Sequence, residues 1–174
     1  MLKVGVIGYG YWGPNIVRNF NATGEAHVTA ICDKNSQTLE KVARIYPEVH
    51  TCPAPEDIVK SSDIDIVAIV TPVSTHYELA SLALNNGKHV FVEKPFTARV
   101  EEAAELVELA QRKNLRIMVD HTFLFTGAVS KIKELIDAEE LGDVYYYDST
   151  RINLGIFQHD VNVGHRPANA RGPK

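Results

Sequence analysis

At 174 residues, with 45% hydrophobic and 23% charged side chains, the chain has globular composition and length for one well-buried domain plus a fragment of a second. Eighteen Lys and Arg against 22 Asp and Glu give a net charge of −4, with no basic block to track a phosphate backbone, which excludes nucleic acid as the natural partner. Cys32 and Cys52 do not form a CxxC pattern, no apolar leader opens the sequence, and no apolar run reaches the roughly 18 residues of a membrane span. Disulfides, zinc and membrane insertion are therefore poor readings, and a reducing cytoplasm is the expected compartment.

In chain order, β-rich runs at 2–7, 27–32, 65–70, 89–92 and 116–119 alternate with longer helical stretches. That rhythm predicts βαβ units around a parallel sheet. A weaker strand at 48–51, followed by a helix-like stretch at 55–61, supplies the third crossover and a sixth strand. After the strand at 65–70, Thr75 and Glu78 match a capping box, Leu79, Leu82 and Ala83 share a face, and Gly87 marks the stop. Between Thr97 and Asn114, Val100, Ala103, Ala104, Val107 and Ala110 recur at helical spacing, and Glu101, Glu102, Glu105 and Glu108 read as the solvated side. Past the sixth strand come a helical stretch at 128–138, a turn at Leu141 and Gly142, and a strand at 144–152 that opens a second domain. Residues 164–174 hold no large apolar side chain and are expected to stay disordered. The expected division is 1–121, 122–163 and a 164–174 tail.

Gly8-Tyr9-Gly10-Tyr11-Trp12-Gly13 follows the first strand directly and opens a helix continuing through Ile16, Val17 and Phe20. A GxGxxG in that context, with Asp33 ending the second strand, is the dinucleotide fingerprint. Gly8 permits the tight turn, Gly10 lets backbone approach a pyrophosphate, and Gly13 lets helix and strand pack closely. The helix N-terminus then offers free N–H groups to the phosphates. Asp33 would accept from the ribose hydroxyls and repel a 2′-phosphate, favouring NAD over NADP, although Lys34 beside it pulls the other way. FAD and other adenine nucleotides use the same fingerprint. The fold class is α/β, a Rossmann-type doubly wound parallel sheet followed by the start of an α/β C-terminal domain.

Glu93-Lys94-Pro95 ends the fifth strand, Thr71-Pro72 and His76 follow the fourth, and Asp120-His121 follow the sixth. All converge on the carboxyl edge of the sheet, where open α/β folds bind ligands. Taken singly, His76 and His121 read as structural. Lys94 reads as functional because it sits beside the predicted nicotinamide site.

With the glycine loop, Thr71-Pro72-x-x-x-His76 and Glu93-Lys94-Pro95 in order, residues 1–163 resemble the glucose-fructose oxidoreductase/inositol dehydrogenase/MocA (Gfo/Idh/MocA) family. The resemblance implies an NAD-dependent sugar dehydrogenase, with Lys94 as the proton-transfer and substrate-orienting residue, Glu93 and Pro95 as its supports, and a cis Lys94–Pro95 bond. The cofactor-binding set it implies is Gly8, Tyr9, Gly10, Tyr11, Trp12, Gly13, Asp33, Lys34, Thr71, Pro72, His76, Glu93 and Lys94, with no metal. The glycine loop with Pro14-Asn15 looks like members acting on nucleotide-linked sugars. Burial and the positive nicotinamide would lower the lysine pKa toward working pH.

Family members run to about twice this length, and their C-terminal sheet covers the nicotinamide and often builds a homo-oligomer interface. Here Asn153-Leu154-Gly155 and the segment from His159 to Val163 match that domain's opening, but Gly164-His165-Arg166-Pro167 stands where a Trp-Asp and His motif is expected. The resemblance thus implies a chain broken off after Val163, with little or no activity alone. The alternative of another class is a non-catalytic nucleotide-binding module.

Overall fold

The computed structural model describes residues 1–150 and 152, and the chain divides into two compact units, the first running from Met1 to Asp120 and the second beginning at His121. The first unit is built from β1 (Leu2–Ile7), α1 (Gly13–Ala22), β2 (Ala26–Cys32), α2 (Ser36–Ile45), β3 (His50–Cys52), α3 (Pro55–Val59), β4 (Ile66–Ile69), α4 (His76–Asn85), β5 (His89–Val92), α5 (Val100–Arg112) and β6 (Ile117–Val119). A 3₁₀ turn, Val73–Thr75, leads into α4. The six strands run in the order β3-β2-β1-β4-β5-β6, and every pairing is parallel.

Alternation along each strand sends side chains to two separate cores. Val4, Val6, Val28 and Ile31 pack with Ile16 and Val17 of α1 and Val42 of α2. Ile7, Val67, Ile69, Val90 and Val92 pack with Ile58 of α3, Ala80 and Leu84 of α4, and Leu106 of α5. Both faces are thus covered, as a parallel sheet with crossover helices requires. The chain winds in one direction from β1 to β3 and in the other from β4 to β6. The order reverses between β1 and β4, which opens a crevice at their carboxyl ends.

Three local expectations change. Thr75 makes no capping bond to α4, because its hydroxyl donates to the Pro72 carbonyl oxygen at 2.8 Å and meets Thr71 Oγ1 at 2.7 Å; the Thr75/Glu78 box does not form. On α5 the buried stripe is Leu106 and Ala110, with Leu109 packed beside them, while Val100 and Val107 lie exposed. Glu102, expected in solvent, has a side chain only 16% exposed and pairs with Arg99 at 3.0 Å. Two apolar stripes were available at helical spacing, and the larger leucines took the core because they bury more apolar area.

The second unit contains a 3₁₀ turn, Thr122–Phe125, and the helix α6 (Gly127–Asp137), followed by a turn in which Gly142 takes φ +63°. The strand expected at 144–152 is not formed over 144–150 or at 152. No partner strand lies alongside it among the described residues, and Tyr145, Tyr146 and Tyr147 are 90%, 83% and 66% exposed. Without a ladder to join, its β-propensity has nothing to act on. The motif remnants from Asn153 to Val163, His165 and the 164–174 tail lie outside the described residues.

Candidate functional site

The glycines of the first loop meet three different demands. Gly8 turns the chain at φ +95°, and a Cβ there would lie 2.5 Å from the Val70 carbonyl oxygen. At Gly13 a Cβ would lie 2.9 Å from the Gly8 oxygen, so α1 could not seat on the strand. At Gly10 a Cβ would meet nothing within 4 Å. The first two glycines are needed by the fold, whereas nothing in the unit itself asks for the third.

Asp33, at the end of β2, reaches back to this loop. Its Oδ2 accepts from the Tyr9 main-chain N–H at 2.7 Å and its Oδ1 from the Asn35 N–H at 2.9 Å. Asp33 does not cap the next helix, since Asn35 does so by accepting from Gln37 N at 2.9 Å. The aspartate is therefore held at the loop with a lone pair to spare on each oxygen. The α1 N-terminus has no side-chain cap; Pro14 carries no N–H and the Asn15 N–H donates to the Trp12 carbonyl oxygen at 3.0 Å, so the open main-chain donor of the first turn is that of Gly13.

A cleft of about 510 Å³ lies along the carboxyl edge, lined by Gly8 and Gly10 after β1, Asp33 and Lys34 after β2, Pro53 and Glu56 beyond β3, and Thr71, Pro72 and Glu78 beyond β4. The residues beyond β3, and Glu78, were missed from sequence. Their signal was topological, because they follow strands that end at the same edge. The remaining expected residues lie outside this lining. Tyr9 turns its ring into the core, 7% exposed, where burial and then the nearby Tyr46 push its hydroxyl up to about 12. Tyr11 and Trp12 stack on each other in the open, 6.3 Å apart. His76 is 1% exposed, with both ring nitrogens against main-chain oxygens of Thr71, Pro95 and Phe96.

Lys94 is exposed, and its Nζ has no hydrogen-bond or ion-pair partner among the described residues. The Lys94–Pro95 bond is cis. Beside it, Glu93 Oε2 accepts from the Lys94 main-chain N–H at 3.2 Å, while Oε1 is buried without a partner. Burial first, and then the adjacent Asp120 carboxyl, push Glu93 up to about 7 against the opposing pull of Lys94. A proton held between Glu93 and Asp120 would supply the partner that Oε1 lacks when both are ionised. Cys32 and Cys52 stand in register on β2 and β3 as free buried thiols, Cys32 pushed up to about 12 by burial and by its neighbour Cys52. Among the described residues no helix is long and apolar enough to cross a membrane, and no group of three acidic, His or Cys side chains could hold a metal.

Residues 2–121 match the Gfo/Idh/MocA family model, described as an oxidoreductase family with an NAD-binding Rossmann fold. The chain is similar to an uncharacterized oxidoreductase, YdgJ, of Escherichia coli, 33% identical over 148 residues that cover 85% of this chain and 42% of the relative. It is also similar to a UDP-N-acetylglucosamine 3-dehydrogenase of Acidithiobacillus ferrooxidans, 32% identical over 133 residues, 76% of this chain and 41% of the relative. Among solved structures it is similar to a scyllo-inositol dehydrogenase from Lactobacillus casei with bound NAD(H) and scyllo-inositol, at TM-score 0.75 and 27% identity, covering 82% of this chain and 42% of that one. The chain spans about two fifths of the length of the curated relatives it matches, from 36% to 42% in three of them. It belongs to the Gfo/Idh/MocA oxidoreductase family, and residues 2–121 are its NAD-binding Rossmann domain.

Proposed function

We propose that this member of the family takes NAD along the carboxyl edge of its sheet and serves a dehydrogenase acting on a ring hydroxyl of a sugar, with nucleotide-linked sugars as the substrate class. One observation carries the cofactor site: a side chain at Gly10 would meet no protein atom, so the demand for glycine there fits a ligand pressed against the backbone. The uncapped α1 N-terminus suits the pyrophosphate, and the spare lone pairs of Asp33 suit the adenosine ribose hydroxyls. Negative charge at Asp33 disfavours a 2′-phosphate. In this reading Tyr9, Tyr11 and Trp12 contribute main chain and cover to the loop, Lys34 borders the adenosine end, and Thr71 and Pro72 form the wall toward the nicotinamide.

When bound, nicotinamide supplies the hydride acceptor. The protein's share is orientation and proton handling. Lys94, exposed and unpartnered, can donate a hydrogen bond to the substrate oxygen as the ammonium and would take the hydroxyl proton only as the neutral amine, and Glu93 steadies the Lys94 main chain by accepting from its N–H. His76 acts from behind the cleft wall. The region beyond residue 121 belongs to the substrate-covering domain in this reading, and the complete protein works as a cytoplasmic homo-oligomer. The relatives named for UDP-N-acetylglucosamine and scyllo-inositol support the substrate class.

Calorimetry with NAD and NADP on the folded chain tests the cofactor assignment, with tighter binding of NAD expected. A folded chain that binds neither overturns it. NAD reduction by the complete protein across UDP-activated sugars and inositols tests the rest, and inertness toward all of them removes the substrate class while leaving the cofactor.

A further inference from the structure

Asp33 and Lys34 are neighbours just past β2, and both line the cleft, one carboxylate beside one ammonium. A ribose 2′-phosphate carries roughly −1.5 to −2 charge, so what it loses to the first it largely regains from the second. A third charge reaches this end of the cleft from β3. The Asp33 N–H donates to the Cys52 carbonyl oxygen at 3.2 Å, which carries the Cys32–Cys52 pairing one step past the strand ends. From Cys52 the chain runs through Pro53, Ala54 and Pro55 into α3. The two proline rings fix φ, and Ala54 between them is extended at φ −110° and ψ 128°. This short, stiff connection brings the exposed Glu56, four residues past Cys52, into the same lining as Asp33 and Lys34. None of the three has an ion-pair partner among the described residues.

We propose that Glu56 is a specificity-determining residue of the cofactor cleft: together with Asp33 it outweighs Lys34 and turns away dinucleotides that carry a ribose 2′-phosphate. The proposal rests on the NAD reading above, which places the adenosine ribose at Asp33. Two carboxylates against one ammonium leave a net negative charge there, whereas Asp33 and Lys34 alone would cancel. Glu78, the remaining carboxylate of the lining, comes from α4 beyond β4, and β1 separates β4 from β2 in the sheet. Asp57 and Lys60, further along the α3 segment, carry opposite charges and lie outside the lining. Glu56 works through solvent, so its effect is modest. Unit charges roughly 8 Å apart in water shift a binding constant about twofold, and the near-double charge of a phosphate raises this to about fivefold.

The test is calorimetry of NAD and NADP on the full chain, read as the ratio of the two dissociation constants, so that a change common to both cofactors drops out. NADP too weak to titrate directly is read by its displacement of NAD. Glu56→Gln removes the charge at nearly constant shape and should move the ratio about fivefold toward NADP in about 20 mM salt. In about 0.5 M salt the same shift should shrink below about twofold, because charges are then screened within roughly 4 Å. Glu56→Asp keeps the charge and should stay within about twofold of the wild-type ratio. A ratio that Glu56→Gln leaves unmoved overturns the proposal. So does a shift that persists undiminished in high salt, which would mark shape rather than charge, and so does a Glu56→Asp protein that follows Glu56→Gln. A folded wild type that binds neither cofactor overturns the NAD reading and this proposal with it, whereas NAD binding with an unmoved ratio overturns this proposal alone.

Discussion

Alanine at Gly10 and alanine at Gly8 should have opposite effects on stability. Gly10 does not need a positive φ, and its added Cβ would have no protein atom within 4 Å. Gly→Ala at such a position stabilises by roughly 0.4–1 kcal/mol through the unfolded chain, so the Gly10→Ala melting temperature should hold or rise by about 2–5 °C. The same methyl would stand where the pyrophosphate must approach, and NAD affinity should drop at least about tenfold, or ~1.4 kcal/mol. Gly8 sits at φ +95°, with the Cβ position 2.5 Å from a main-chain oxygen that cannot swing aside. The conformation alone costs about 1–3 kcal/mol for a residue with a side chain, and the clash adds to it. Gly8→Ala should therefore melt well below wild type. Thermal unfolding and calorimetry on the two variants form the assay. A Gly10→Ala protein that melts normally and binds NAD like wild type would refute the reasoning, because the third glycine would then answer no demand at all.

Asp33→Ala should weaken NAD more than NADP, and it should also cost about 1–3 kcal/mol of stability by releasing the Tyr9 and Asn35 N–H groups; equal losses for both cofactors in calorimetry would remove the ribose role. Glu93 is raised from 4.5 to about 7, so the unfolded chain loses this proton first and the residue erodes stability as pH climbs through that window, with no further loss above it. Glu93→Gln should accordingly gain about 1 kcal/mol over wild type at pH 8 and nothing at pH 4, the gain being discounted for the carboxyl's partial exposure; urea unfolding at the two pH values checks the sign. Lys88 is 8% exposed and its ammonium donates to the Ser61 and Ile64 carbonyl oxygens, the latter at 2.8 Å. Lys88→Met should leave both oxygens unpaired at about 1–3 kcal/mol each, and a loss under about 0.5 kcal/mol in denaturant unfolding would show that water replaces the ammonium freely.

The sheet was legible because each strand is a short apolar run between turn signals, and burial on both faces leaves the run nearly unbroken. Bounds for β1 and β5 come out as the sequence suggests, and the others shift by one or two residues at frayed ends. Choices between equivalent local patterns were not legible. Thr75 could cap α4 or bond the loop before it, and the Thr71 hydroxyl and Pro72 carbonyl, four and three residues back, drew it to the loop. On α5, spacing allowed either a Val/Ala or a Leu-centred stripe, and only the packing against α4 and the sheet selects one. The run at 144–150 shows the converse limit: strand propensity is a preference for a pleated neighbour, and it describes nothing where no neighbour pairs.

The candidate site separates along the same line. A motif names positions without saying which of them face a ligand and which hold the others in place. Gly8, Gly13, the Tyr9 ring and His76 are engaged by the protein itself, while Gly10, Lys94 and the spare lone pairs of Asp33 are left open. Lys88 and His76 add a further regularity that no spacing rule finds. Each is a buried nitrogen base surrounded only by main-chain carbonyls, Lys88 between the ends of α3 and α4 and His76 between the loops that follow β4 and β5. A carbonyl has no residue identity, so sequence gives no hint that it will collect around a buried nitrogen. The fold nonetheless brings turns together at both ends of its strands, and their unpaired oxygens need donors. At the amino end that need is met by a lysine with three protons to give. At the carboxyl end the ring nitrogens of His76 stand against the carbonyl oxygens of Thr71, Pro95 and Phe96, next to the Lys94 segment.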